Sequence, residues 1–179
     1  MPTLVLLLHL CARACAIATT VYLAAVTVPL FVADITTLRL PNRLLLPGFA
    51  VAAGALAASG FIEAANPAVL LGFDRTAPPS AFAAAVAVFL GLRMVGAVGM
   101  GDVKLAGLLA AGLGFLPPSS VAPALAAGLL VSFVLAGAAA VIALLRAARL
   151  LAFGPFLLSG YWVAALIAVA GTTMAATQT

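Results

Sequence analysis

Long apolar runs, interrupted by single charged residues, constrain this chain more than any other feature of its sequence. Of its 179 residues, 66% are apolar and 7% are charged, and the mean hydropathy is +1.34. A soluble domain normally carries about 25% charged residues, which cover its water-facing surface. The sequence also lacks the ~10-residue alternation that a membrane β-barrel requires. These features predict an all-α membrane protein whose solvent is lipid.

Six apolar segments predict a polytopic bundle of about six transmembrane helices, built as a single domain over residues 1–179. The fourth segment has only about 15 residues, which is short for a bilayer core of roughly 30 Å. Residues 1–12 either extend the first helix or lie at the interface, and the loop at 63–79 is long enough for a short interfacial helix. The predicted segments are 13–33, 44–62, 80–98, 102–117, 121–145 and 156–175.

The basic residues predict the orientation of the bundle. Six of the eight Lys and Arg residues flank the loops that follow odd-numbered helices, and two lie on the other side. Because cytoplasmic loops are enriched in Lys and Arg, both termini are expected outside. Asp34 and Asp102 then lie at cytoplasmic helix ends, whereas Glu63 and Asp74 lie in an outer loop. The basic residues form no patch, so the expected partner is the lipid bilayer and not a nucleic acid.

The chain offers little for metal or cysteine chemistry. Cys11 and Cys15 stand four residues apart, which matches no zinc or redox motif, and we interpret them as small apolar residues on one helix face. His9 is the only histidine. We therefore expect no metal site, no cofactor and no histidine-based catalytic triad.

Asp34 and Asp102 are the residues that most need an explanation, because carboxylates at a membrane edge are costly. Taken singly, Asp102 is explained as an N-cap and Asp34 as a boundary residue. Taken together, two facing carboxylates can share one proton, so that one acts as a base toward water and the other as an acid. We hypothesise that the proton rests mainly on Asp34, which follows a helix C-terminus, while Asp102 begins a helix whose dipole favours the anion. The pair would titrate as one unit.

Two glycines precede the second carboxylate, in "GMGDVKL". Gly99 and Gly101 lack Cβ atoms and allow another backbone to approach closely, such as an extended peptide substrate. A tight break between helices explains them equally well. The two interpretations are compatible.

Three motifs in the expected order resemble the type IV prepilin peptidases, a family of Gly-x-Gly-Asp membrane aspartic proteases. "GMGDVKL" resembles the second catalytic motif, and "ADITTLRLPNRLLLPG" resembles the segment around the first catalytic aspartate. "FGPF", at 153–156, resembles the segment before the last helix. The resemblance covers about residues 20–170 and implies that Asp34 and Asp102 are the catalytic pair.

The resemblance further implies an endopeptidase of the cytoplasmic (inner) membrane. It would cut the leader from prepilin-like or pseudopilin precursors at the cytoplasmic face, by water that the aspartates activate. Larger members carry an N-terminal segment with paired Cys-x-x-Cys motifs, linked to N-methylation of the mature pilin. This chain lacks that segment, so it resembles the short, peptidase-only form, and zinc is not expected.

Other positions have supporting roles in this interpretation. Arg39, Pro41 and Asn42 either shape the loop beside Asp34 or meet charges of the leader. Lys104 either holds Asp102 or reaches to the interface. Gly154 and Pro155 are expected to set the entry of the last helix. The oligomeric state stays open.

Three alternatives remain at this point. A small proton- or cation-coupled transporter could use Asp34 and Asp102 as its site, although both acids lie toward one face and no internal repeat is clear. A presenilin-like intramembrane protease shares the Gly-x-Gly-Asp motif, but its first aspartate usually follows a tyrosine, where this chain has Ala33. An inactive assembly partner of a secretion system is the third, although the presence of both acids argues against it.

Overall fold

Six helices make up the part of the chain that the structure describes. A computed structural model describes residues 2–65, 74–145 and 152–176. All six elements are α-helices, and they are joined by short turns where the connection is described. Their bounds are α1 Pro2–Thr37, α2 Asn42–Ala65, α3 Ala77–Met94, α4 Met100–Gly114, α5 Pro118–Leu145 and α6 Gly154–Ala176.

The six predicted segments each correspond to one helix, and the largest differences concern the helix ends. The first helix is continuous from Pro2 to Thr37, so residues 1–12 belong to its extension and not to a separate interfacial segment. Asp34 therefore lies in the last turn of α1, and the expectation that it follows the helix is wrong. The predicted interfacial helix after α2 falls largely on 66–73, outside the described residues.

The third and fourth helices begin earlier than predicted. Prolines occupy the first turn of α3, where a backbone N–H has no acceptor within the helix, so that their lack of an N–H is tolerated. That helix therefore starts at Ala77 and not near residue 80. It ends at Met94, and Gly96 follows with a positive φ of 77°, a conformation that glycine adopts without steric cost. Helix α4 starts at Met100 with Gly99 as its N-cap, so the interpretation of Asp102 as the N-cap is wrong.

Helix α4 is the central element of the bundle. Every residue from 105 to 115 is buried, as is Val103, and α4 contacts all five other helices. With 15 residues it measures about 22 Å, which is shorter than a bilayer core of roughly 30 Å. The surrounding helices therefore provide most of its environment, in place of lipid. This explains why the shortest apolar segment is also the most buried.

The outer surface of the bundle is apolar, as expected for a chain that lies in lipid. Within the described residues, four helices are long and apolar enough to cross a membrane, at Ile17–Thr37, Asn42–Ile62, Ala77–Met94 and Ser119–Ala140, and Gly154–Ala170 forms a shorter apolar helix. Large apolar side chains such as Val28, Leu46 and Leu166 are more than 60% exposed. A multi-pass membrane protein accounts for both observations, because lipid covers these side chains.

Candidate active site

Asp34 and Asp102 lie at one end of the bundle, which we call the aspartate end. Here α1 ends and α2, α4 and α6 begin. Two hydrogen bonds between distant parts of the chain join these helix ends, one from Gly154 to Asp34 and one from Lys104 to Asn42. The turn between α1 and α2 also lies here. The sequence predicted that Asp34 and Asp102 share one face of the membrane, and their position at one end of the bundle agrees with that prediction.

Asp34 is held by a backbone N–H from the other end of the sequence. Its side chain is 5% exposed, and its Oδ2 accepts a hydrogen bond of 2.8 Å from the backbone N–H of Gly154. Gly154 is the first residue of α6, so the carboxylate meets the end of that helix where an anion is favoured. The Asp34 backbone is also fixed, because Leu38, at a φ of 52°, donates its N–H to the Asp34 carbonyl at 2.9 Å.

Asp102 is the third residue of α4, and its carboxylate closes the first turn of its own helix. Its Oδ2 accepts the backbone N–H of Gly99 at 3.0 Å, in the manner of a capping box. Asp102 is near enough to Asp34 for the charges of the two carboxylates to interact.

The hypothesis that the shared proton rests mainly on Asp34 started from the positions of the two carboxylates on their helices. That hypothesis assumed an unfavourable helix C-terminus at Asp34 and a favourable N-terminus at Asp102. In the structure each carboxylate accepts a glycine N–H at the start of a helix, from Gly154 and from Gly99. Helix position no longer distinguishes the two residues, so the location of the proton stays a prediction.

Gly101, which precedes Asp102, packs against the side chain of Leu40. A Cβ on Gly101 would lie 3.1 Å from the Cβ of Leu40, in the turn between α1 and α2. The expected room for a substrate strand over Gly101 is therefore occupied by Leu40. A Cβ on Gly99 would meet only the Asp102 carboxylate, at 3.3 Å. Gly101 thus lets the turn after α1 pack against the start of α4.

Lys104 contacts α2 and not Asp102. Its Nζ donates a hydrogen bond of 3.1 Å to the Oδ1 of Asn42, the first residue of α2, and no ion pair joins it to Asp102 in the described part of the chain. Pro41 supports the same helix start, because its carbonyl accepts the Leu44 N–H at 3.0 Å. Arg39 is exposed at the turn. Lys104 therefore holds the starts of α2 and α4 together.

Polar contacts along α1 and α6 are the feature that the sequence interpretation missed. Thr20, Thr27 and Asp34 are spaced by seven residues and so form one stripe along α1. Each bonds with α6: Tyr161 Oη donates to Thr20 Oγ1 at 3.3 Å, and Trp162 Nε1 donates to Thr27 Oγ1 at 3.0 Å. The third contact of the stripe is the one from Gly154. The heptad spacing of polar residues in an apolar helix was the available signal.

Among the described residues, no group of three or more His, Cys, Asp and Glu side chains is placed to hold a metal ion. Cys11 is an exposed free thiol, whereas the side chain of Cys15 lies outside the described part of the structure. The acidic chemistry available at the aspartate end is therefore that of the two carboxylates themselves.

The chain matches the model of the type IV leader peptidase family over residues 21–145, a range that includes both aspartates. The chain therefore belongs to this family of membrane peptidases. Searches of curated proteins and of solved structures each returned no significant match. The family assignment confirms the resemblance that the sequence motifs indicated, and it disfavours a transporter.

Proposed function

We propose that the chain is an aspartic endopeptidase that removes the leader from type IV prepilin-like precursors at the cytoplasmic face of the inner membrane. Membership of the leader peptidase family supports peptidase activity. The observation that carries the aspartic mechanism is the position of Asp34 and Asp102 at one end of the bundle, where α1 ends and α4 and α6 begin. Each carboxylate has one oxygen engaged by a glycine N–H, so its Oδ1 lies outside that bond.

The proposed reaction needs one proton shared by the pair. The ionised carboxylate takes a proton from water as the water oxygen attacks the scissile carbonyl carbon, while the protonated partner gives its proton to the carbonyl oxygen. A neutral tetrahedral diol results, without an acyl-enzyme. The first carboxyl then protonates the leaving amine as the C–N bond breaks. One diol hydroxyl returns its proton to the second carboxylate. The pair ends with the single proton with which it began.

The cytoplasmic location is supported by the charges around the aspartate end. Arg39 and Arg43 flank the start of α2, Arg93 lies in the last turn of α3, and Lys104 lies in the first turn and a half of α4. Positive residues of this kind are retained in the cytoplasm. Arg146 and Arg149, which the charge argument also used, lie outside the described residues.

Cysteine labelling tests this orientation. In a background without Cys11 and Cys15, we expect Arg39→Cys to react with a membrane-impermeant maleimide only after the cells are permeabilised. The matched variant Asp74→Cys should react in intact spheroplasts, because position 74 is exposed and lies beyond the opposite ends of the helices. The reverse pattern would place the aspartate end outside the cell and would refute the cytoplasmic part of the proposal.

Coexpression with a prepilin-like precursor from the same genome tests the function itself. We expect the precursor to lose its leader, which a gel shift and N-terminal sequencing of the product would show. Normal amounts of the membrane protein with no cleavage of any such precursor would count against the proposal. Proton- or cation-dependent uptake in proteoliposomes would then support the transporter instead.

A further inference from the structure

We propose that Gly154 is a positioning residue for Asp34: its backbone N–H fixes the orientation of the carboxylate, and its lack of a side chain makes that contact possible. This inference rests on the proposed function of Asp34 in peptide cleavage. Gly154 itself contacts no substrate in this account. It acts through the carboxylate that it orients.

The contact is specific to glycine for a steric reason. The Gly154 N–H lies 2.8 Å from Asp34 Oδ2, at hydrogen-bonding distance. A Cβ at position 154 would lie 2.7 Å from the same oxygen and 3.1 Å from the Asp34 Cγ. Contacts this short force one group to move. Because Asp34 is buried, its carboxylate would have to rotate away from the donor or α6 would have to shift.

The shift of α6 is opposed by the other contacts of the polar stripe. Trp162 and Tyr161 bond to Thr27 and Thr20 on α1, about two turns away from Gly154 along α6. Hydrogen bonds of this kind stabilise the packing of membrane helices, and here two act together. The backbone N–H of Gly154 is therefore held opposite the Asp34 carboxylate. A side chain at position 154 would displace mainly the carboxylate.

An uncharged donor also suits a carboxylate that must exchange protons. The first turn of α6 carries no charged side chain, and the facing charged group on α4 is Asp102. On the neighbouring turn and α2, Arg39 and Arg43 are exposed. A backbone N–H orients Oδ2 without neutralising the carboxylate, as a salt bridge would do. Oδ1 then stays available to water and to the partner carboxyl.

The experiment combines kinetics with a double-mutant cycle in stability. The variants are Gly154→Ala, Asp34→Ala, the double variant Gly154→Ala/Asp34→Ala, and Gly91→Ala as the matched control. A Cβ on Gly91 meets nothing within 4 Å, so this control introduces the same methyl group into an open position. Leader cleavage in proteoliposomes gives kcat and KM, and thermal unfolding gives the Tm of all four proteins.

We expect Gly154→Ala to lower kcat by about 100-fold with KM nearly unchanged, since a misplaced catalytic group costs on the order of this factor. Gly91→Ala should match wild type. In the cycle, Gly154→Ala should lower the Tm of wild type but leave that of Asp34→Ala nearly unchanged, because the clashing carboxylate is gone. If Gly154→Ala accumulates poorly, the double variant should restore its level.

Two results would overturn the inference. Equal losses of Tm in both backgrounds would show that Gly154 serves only the packing of α6. A wild-type kcat for Gly154→Ala would show that the contact does not position Asp34 for catalysis. If wild type cleaves no precursor, the proposed function fails, whereas the cycle still decides whether Gly154 and Asp34 are coupled.

Discussion

Asp34→Asn and Asp102→Asn are each expected to lower the rate of leader cleavage on the order of 10⁴-fold, the scale seen when one member of a catalytic unit is lost. The amide has nearly the shape of the carboxylate and keeps an oxygen for the glycine N–H at each site. It cannot accept a proton from water at neutral pH, so it removes the chemistry and preserves the geometry. The measurement is cleavage of a purified precursor at matched enzyme concentration.

The control for this experiment is Asp74→Asn, which changes an exposed carboxylate away from the aspartate end. Its rate should equal that of wild type. Each inactive variant must also reach wild-type levels in the membrane and unfold cooperatively. Substantial cleavage by either the Asp34 or the Asp102 variant would remove that carboxylate from the mechanism.

Gly114→Ala is expected to produce a large loss of stability, because the added methyl group meets backbone atoms of α3. Gly114 ends α4, and a Cβ there would lie 2.5 Å from the Cα and 2.6 Å from the N of Pro78. These are backbone atoms in the first turn of α3, so they cannot rotate away as a side chain would. We expect a loss of about 2–3 kcal/mol in the free energy of unfolding, which is the upper part of the range for overpacking.

Thermal unfolding in detergent measures this effect as a fall in Tm of roughly 5–10 °C. Gly91→Ala is again the control, because the open position should give no loss and the better helix propensity of alanine should give a small gain. A Tm for Gly114→Ala equal to that of Gly91→Ala would show that α3 and α4 can separate without cost. The close approach of these helices would then not be a determinant of the fold.

The helices and their order were predictable because apolar length is a local property of the sequence. Each predicted segment corresponds to a helix, and the errors concern the ends. Prolines in the first turn of α3 moved its start to Ala77, and the glycine N-cap of α4 moved Asp102 from the cap to the third helical residue. Such end effects depend on the conformation of single residues, which hydrophobic patterns do not encode.

The partners of the site residues were less predictable, because they depend on tertiary packing. Gly154 and Asp34 are separated by 120 residues, and nothing in "FGPF" indicates which carboxylate its backbone meets. Lys104 lies two residues from Asp102, yet its side chain reaches Asn42 on another helix. The family motifs identified both aspartates, whereas the contacts that orient them required the packed bundle. The heptad stripe on α1 was the one local signal for its contact with α6.

The most direct test of the account is the rate of leader cleavage in proteoliposomes for wild type, Asp34→Asn, Asp102→Asn and the double variant. If the two carboxylates act as one unit with a shared proton, all three variants should fall to the same residual rate, because removing either member disables the pair. Losses that multiply in the double variant, or a single variant that retains activity, would contradict the claim that Asp34 and Asp102 form one catalytic pair.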